Sequence, residues 1–223
     1  MHRVAPAIPR DCDLARMIAQ ATNRPRSFPN RGAPHDRHTA TATVSVPTGT
    51  WSVDAAHSNV EFRVKHLGIS TVRGAFREFE GTLEIGDDIS SARAYCKIKA
   101  GSIDTNEPQR DGDDHLRSAD FFDAENHPDI TFESITITPL DEDTFEVTGE
   151  LTMHGVTKPI TLTVETTGTE QDPWGNERVG LEALGKLDRS EWDMRFNQAL
   201  GSGNMMVSDK VTISLDVSAV KQA

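Results

Sequence analysis

The sequence predicts an all-β protein whose eight antiparallel strands either close into a barrel or stack as two sheets. Three observations carry this. From Trp51 onward the dominant hydrophobic period is two, as in strands with one buried face. Most alternating stretches are joined by short turns such as Gly86-Asp87-Asp88 and Leu140-Asp141-Glu142-Asp143. No window approaches the roughly 18 consecutive apolar residues of a membrane-crossing helix, so no integral membrane segment is expected.

Residues 1–47 come first and follow no period. They hold six of the eleven prolines, with seven of the 23 Lys and Arg but three of the 35 Asp and Glu. Such a stretch buries too little apolar surface to offset the entropy of ordering it, and it reads as a disordered leader. It lacks a charged start followed by an apolar run, because Asp11, Asp13, Arg16 and Gln20 break its one apolar patch. A cytoplasmic location is the expectation. Residues 48–223 then form one domain.

The strands follow in order. Val60, Phe62 and Val64 alternate with Glu61, Arg63 and Lys65; Phe79, Gly81, Leu83 and Ile85 share the next face. Ala92, Ala94, Cys96, Ile98 and Ala100 make the third. Strands around 130–138, 144–154, 158–167 and 179–187 come next, and Val211, Ile213, Leu215 and Val217 mark the eighth. One polar segment, 101–129, interrupts the alternation. It reads as a helical lid ending in Phe121-Phe122.

Composition narrows the function. The body carries 16 basic against 32 acidic residues, and an acidic surface repels phosphate backbones, so nucleic acid is not an expected partner. Two cysteines, Cys12 and Cys96, imply no disulfide framework. His57, His66, His127 and His154 have no ligand spacing, so neither a metal nor another cofactor is expected. On the inferred inner face Ala92, Ala94, Ala100, Gly149, Ala183 and Gly185 stand where a filled core favours large residues, which predicts empty space. A packed β-sandwich interaction module is the alternative. If the space is real, burying a methylene gains ~0.8 kcal/mol against ~4–15 kcal/mol for association. The guest must then be a long apolar chain.

The stretches WSVDAAHSNVEFRVKHLGISTVRGAFREFEGTL (51–83), IDTNEPQRDGDDHLRSADFFDAENHPDITFES (103–134), GELTMHGVTKPITLTV (149–164), RSEWDMRF (189–196) and VSDKVTISLDV (207–217) together resemble the YceI family. The resemblance implies a closed eight-stranded, lipocalin-like antiparallel barrel around an elongated lipid, a polyisoprenoid or similar long chain. It implies a non-catalytic carrier or scavenger, with Val60, Phe62, Val64, Phe132, Leu151 and Met153 lining the interior. Alternation adds Ala94, Ile98, Leu181 and Ala183. Many members of the family place Gly after the aromatic of the late motif, where this chain has Asp193 after Trp192.

The lid carries the remaining chemistry. Phe121 and Phe122 would cap the barrel, and Arg110, His115 or Arg117 would meet a polar or phosphate head at its mouth. A hydrolase or isomerase acting on such a lipid is the catalytic alternative, with His115 as base, Asp111 or Asp114 as its orienter and Ser118 as nucleophile. The Gly-x-Ser-x-Gly turn that would support it is missing. A homodimer through exposed strand edges is permitted but not demanded.

Overall fold

Strand pairing among the described residues closes one antiparallel sheet on itself. The computed structural model describes residues 46–106 and 111–223, which belong to a compact unit, Thr41–Ala223. The leader up to residue 45 lies outside the described residues, as does Arg110. The segments are β1 (Gly49–Val53), β2 (Asn59–His66), β3 (Ser70–Phe76), β4 (Phe79–Ile85), β5 (Arg93–Lys99), β6 (Ile103–Asp104), helix α1 (Asp111–Arg117), β7 (Asp129–Pro139), β8 (Thr144–Met153), β9 (Val156–Gln171), β10 (Glu177–Asp188) and β11 (Val207–Lys221).

Eight long strands result, because β1 with β2, β3 with β4, and β5 with β6 are each one strand bent in the middle. β11 pairs with β2 through Ile213↔Phe62 and with β1 through Ala219↔Val53. β2 pairs with β3, β1 with β4, and β4 with β5; the order then runs β5-β7-β8-β9-β10-β11. The outcome is the closed eight-stranded antiparallel barrel, with no stacked second sheet. Sequence periodicity missed β1 and β3. In β3 the inward positions are Val72, Gly74 and Phe76, and a glycine in the middle erases the apolar signal.

The three bends lie on neighbouring strands, and the second and third support each other. Asp54 ends β1 by accepting from Ala56 N at 3.1 Å, which starts a short 3-10 turn. At the second bend Arg77 N donates to Ser102 O and Glu78 N to Ser102 Oγ, both at 3.1 Å, so the turn that breaks β5 from β6 also holds the break between β3 and β4. Adjacent corners of this kind give a sheet the curvature that closure requires.

Two apolar clusters divide the interior along its length. Trp51, Val179, Ala219 and Val46 pack one end, with Leu83, Ile85, Leu181 and Val217 against them. Trp51 is fully buried and its Nε1 donates to Pro47 O at 3.2 Å, so the packed region begins before residue 48. The other cluster, around Phe76, Ile103, Ile130, Leu151, Leu162 and Trp192, lies at the end beneath α1.

Candidate functional site

The second cluster does not fill its half of the barrel. It surrounds a cavity of about 170 Å³, an order of magnitude above the ~10–15 Å³ that admits one water. Its walls are inward residues of successive strands: Val60, Phe62 and Val64 of β2, Phe76 of β3, Cys96 and Ile98 of β5, and Ile130 and Phe132 of β7. Leu151 and Met153 of β8, Ile160 and Leu162 of β9, and Leu187 of β10 continue the ring, which Val211, Ile213 and Leu215 of β11 close. The surface so enclosed is almost wholly apolar. Burial pushes the Cys96 thiol up to about 11, with the Glu80 carboxylate adding to the shift.

Helix α1 and the turn after it form the roof, where Leu116, Phe121 and Phe122 reach the cavity. Phe122 meets Phe76 edge-on at 5.6 Å between ring centroids. Arg117 fastens the helix to the barrel: Nε donates to Gly101 O at 2.9 Å, Nη2 to Ile103 O at 2.7 Å, and Nη1 to Asp114 Oδ1 at 2.8 Å. Asp113, although buried, accepts from Thr105 Oγ1 at 2.6 Å. His115 stacks edge-on against Phe121 and Phe196, at 5.1 and 4.6 Å, with Nε2 2.8 Å from Asp120 Oδ2. The roof is thus clamped by polar contacts on its outside while its underside is aromatic.

Seven of the wall residues expected from the sequence face this cavity: Val60, Phe62, Val64, Ile98, Phe132, Leu151 and Met153. Phe121 and Phe122 join them from the roof. Ala94, Leu181 and Ala183 do not. Leu181 packs with the Trp51 cluster at the other end, Ala183 is buried outside the cavity, and Ala94 stands opposite Leu83, its N–H donating to Ser134 Oγ at 2.8 Å. His115 and Arg117 are braces of the roof rather than cavity residues.

The small inward residues also work differently from the expectation. A Cβ on Gly149 would run into the Phe132 ring, and one on Gly185 into the Leu162 side chain. Their missing side chains are occupied by neighbours, as in an interlocking core. The void is instead bounded by large residues.

The site residues named from the sequence left out the remaining wall positions, such as Phe76, Ile130, Leu162 and Ile213, and also two groups that come from a turn. Met194 reaches the cavity from the stretch after the 3-10 turn Arg189–Trp192, a turn that ends on Asp193 in the left-handed region, with φ 63°. Glycine suits that conformation at less cost. Arg189 also borders the cavity although it is only 4% exposed. Its Nε donates to Ser208 O at 3.1 Å and Nη1 to Met194 O at 2.6 Å. Nη2 lies 2.9 Å from Asp209 Oδ1, within charge attraction but without the alignment of a hydrogen bond. Burial lowers the Arg189 pKa, which Asp209 and Asp188 partly offset. An Arg two residues after a strand's last apolar position was legible in RSEWDMRF, but nothing local marks it as buried.

Comparison with known proteins agrees with this architecture. A family model described as the YceI-like domain matches residues 51–219. Protein YceI of Escherichia coli O157:H7 is 37% identical over 170 residues, covering 76% of this chain and 84% of that protein. A UPF0312 protein of Pectobacterium atrosepticum is 39% identical over 170 residues with the same coverage, 76% and 84%. Among solved structures, a Campylobacter jejuni YceI protein superimposes with a TM-score of 0.61 at 29% identity, over 71% of this chain and 90% of its own. A polyisoprenoid binding domain from Saccharophagus degradans, implicated in plant cell wall breakdown, shares the fold with a TM-score of 0.58 at 16% identity, covering 77% and 98%. With the family model spanning the whole barrel and relatives above one-third identity, the chain belongs to the YceI-like family.

Proposed function

We propose that the barrel binds a long-chain apolar lipid, of polyisoprenoid type, and sequesters or carries it without a covalent step. One observation carries this reading: an apolar cavity bounded by strands on every side and roofed by Phe121 and Phe122. Branched and aromatic walls suit a methyl-branched hydrocarbon, and the polyisoprenoid binding domain of Saccharophagus degradans shares this barrel. The gain on burying about ten carbons, at ~0.8 kcal/mol each, matches the middle of the association cost.

The catalytic alternative lacks support among the described residues, outside which the Asp111 side chain lies. Ser118 Oγ donates to the His115 carbonyl at 2.7 Å, and Asp114 is engaged by Arg117. Neither contacts the His115 imidazole, whose partner is Asp120. Binding therefore remains the better supported role.

The test is organic extraction of the protein purified mildly from its own host, followed by mass spectrometry. A stoichiometric long-chain lipid is expected. Its repeated absence, together with failure of the purified protein to take up a fluorescent polyprenyl probe, would overturn the proposal.

A further inference from the structure

The outer face of the barrel is charged unevenly along its axis. Lys186 on β10 stands beside Thr212 on β11, Thr212 beside Arg63 on β2, and Arg63 beside Arg73 on β3, forming one row across four adjacent strands. Lys65 lies two residues further along β2 on the same face. All four cations are exposed, and among the described residues none of them makes an ion pair; Arg93 and Lys158 are the others in that state. Arg63 directly opposite Arg73 is costly, since like charges on facing strand positions repel. The fold has no use for that pair.

The row's position is informative. It runs toward the hollow end of the barrel, where the cavity is lined by Val64 and Val207. Beyond it the β2–β3 turn and the 199–206 loop are joined, Leu67 N donating to Met206 O at 2.7 Å. These loops present Ile69, 83% exposed, and Met205, 46% exposed, so the rim of the hollow end is apolar at its tip and basic just behind. Carboxylates at this end are mostly occupied: Asp188 pairs with Lys210, Asp193 with Arg195 and Asp209 with Arg189. Glu61, Glu191 and, on the roof, Glu125 are left as counter-charges. Glu182 and Asp216 face each other four residues farther from the rim, roughly 13 Å along the strands, which exceeds the Debye length of ~8 Å at physiological salt.

We infer that this rim docks on the surface of an anionic lipid bilayer, with Ile69 and Met205 entering the headgroup region and Arg63, Lys65, Arg73 and Lys186 facing its phosphates. The Glu182 and Asp216 carboxylates lie beyond the reach of the membrane field, and Asp114, Asp120 and Asp123 of the roof are engaged by Arg117, His115 and His127, so a net negative chain still binds. Docking in this pose turns the hollow end toward the lipid. The assignment concerns the outer surface and is independent of what the cavity holds.

Sedimentation of the full chain with vesicles tests it. Vesicles of phosphatidylcholine with about one-third phosphatidylglycerol should bind the protein at low salt and release it as salt rises, whereas phosphatidylcholine alone should not. Each neutralised cation should weaken binding about fivefold, so Arg63→Gln/Arg73→Gln/Lys186→Gln should weaken it about a hundredfold. Ile69→Ser should cost about tenfold at every salt concentration. Arg93→Gln, at the opposite end, should change nothing. Absence of binding by the unaltered protein would overturn the inference, and so would equal binding by the triple variant, because the attachment would then lie in the basic residues 1–47. An Arg93→Gln effect as large as that of Arg63→Gln would also overturn it, as would tighter capture of a single-stranded RNA oligonucleotide than of vesicles.

Discussion

Along a single strand, β11, Ala219 is wholly buried while Val211, Ile213 and Leu215 are only partly so, although all four face inward. The same strands therefore run from a packed end into a hollow one. At the packed end the Trp51 indole is wholly buried, with Val46, Val179 and Ala219 packed against it. At the hollow end the comparable indole, Trp192, is buried with its Nε1 donating to Leu151 O and does not border the cavity; Phe62 and Phe132 lie across Gly74 and Gly149, so their rings cover the wall. An eight-stranded barrel is just wide enough to be filled by its own side chains or to hold one small ligand, and here the two ends take the two options.

The largest expected effect breaks the packed end. Trp51→Ala should cost ~3–5 kcal/mol in denaturant unfolding, the range for a buried Trp or Phe. Phe132→Ala should cost less than half of that, because one side of its ring already borders empty space. Equal losses would mean that the hollow end is packed as tightly as the other. Filling the lumen sharpens the contrast. Ile213→Phe should lower uptake of a polyprenyl probe more than tenfold with the melting temperature kept, whereas Val179→Phe should destabilise by ~1–3 kcal/mol through overpacking.

A smaller effect reads the cavity from within. Cys96 lines it and its thiol is pushed up to about 11, so in a Cys12→Ser background alkylation at neutral pH should be slow. Adding a polyprenyl lipid should slow it further. A rate equal to that of a free thiol, or one that lipid leaves unchanged, would place the sulfur outside the binding space.

The barrel was largely legible because period-two alternation survives wherever one face is dry, as in Val60-Phe62-Val64 and Val211-Ile213-Leu215. It failed at β3, where Gly74 makes room for the Phe62 ring. The site was legible to the same extent and for the same reason. Alternation shows which side chains point inward, but not at which height along the axis they stand or what crosses from the opposite wall. Leu181 points inward and still misses the cavity, since the Trp51 cluster, distant in sequence, already fills that level, and Ala183, level with the cavity residue Leu215, is too short to reach it. Met194 and Arg189 come from a turn, where no periodicity exists to mark them. Gly149 and Gly185 looked like gaps because sequence names the missing side chain and not the neighbour that fills its place.

The smallest effect tests what holds the packed end together from outside. Arg178 bridges Asp54 and Asp172, with Nη1 2.8 Å from Asp54 Oδ2 and Nε 3.0 Å from Asp172 Oδ2. It thereby ties β10 to the bend between β1 and β2. The bond from Arg178, with a second from His57, lowers the Asp54 carboxyl to about 2; Asp172 is also lowered to about 2, first by Asn176. Both carboxylates bind fewer protons in the folded state than in the unfolded chain, where the ordinary value is near 4. Their contribution is therefore fully present above about pH 4 and is lost as pH falls toward 2. Arg178→Met should flatten that part of the acid-unfolding curve, mainly through Asp54, while Arg73→Met on the hollow half should leave it unchanged. If the two variants track each other down to pH ~2, the bridge does not distinguish the ends, and the packed end owes its stability to the Trp51 cluster alone.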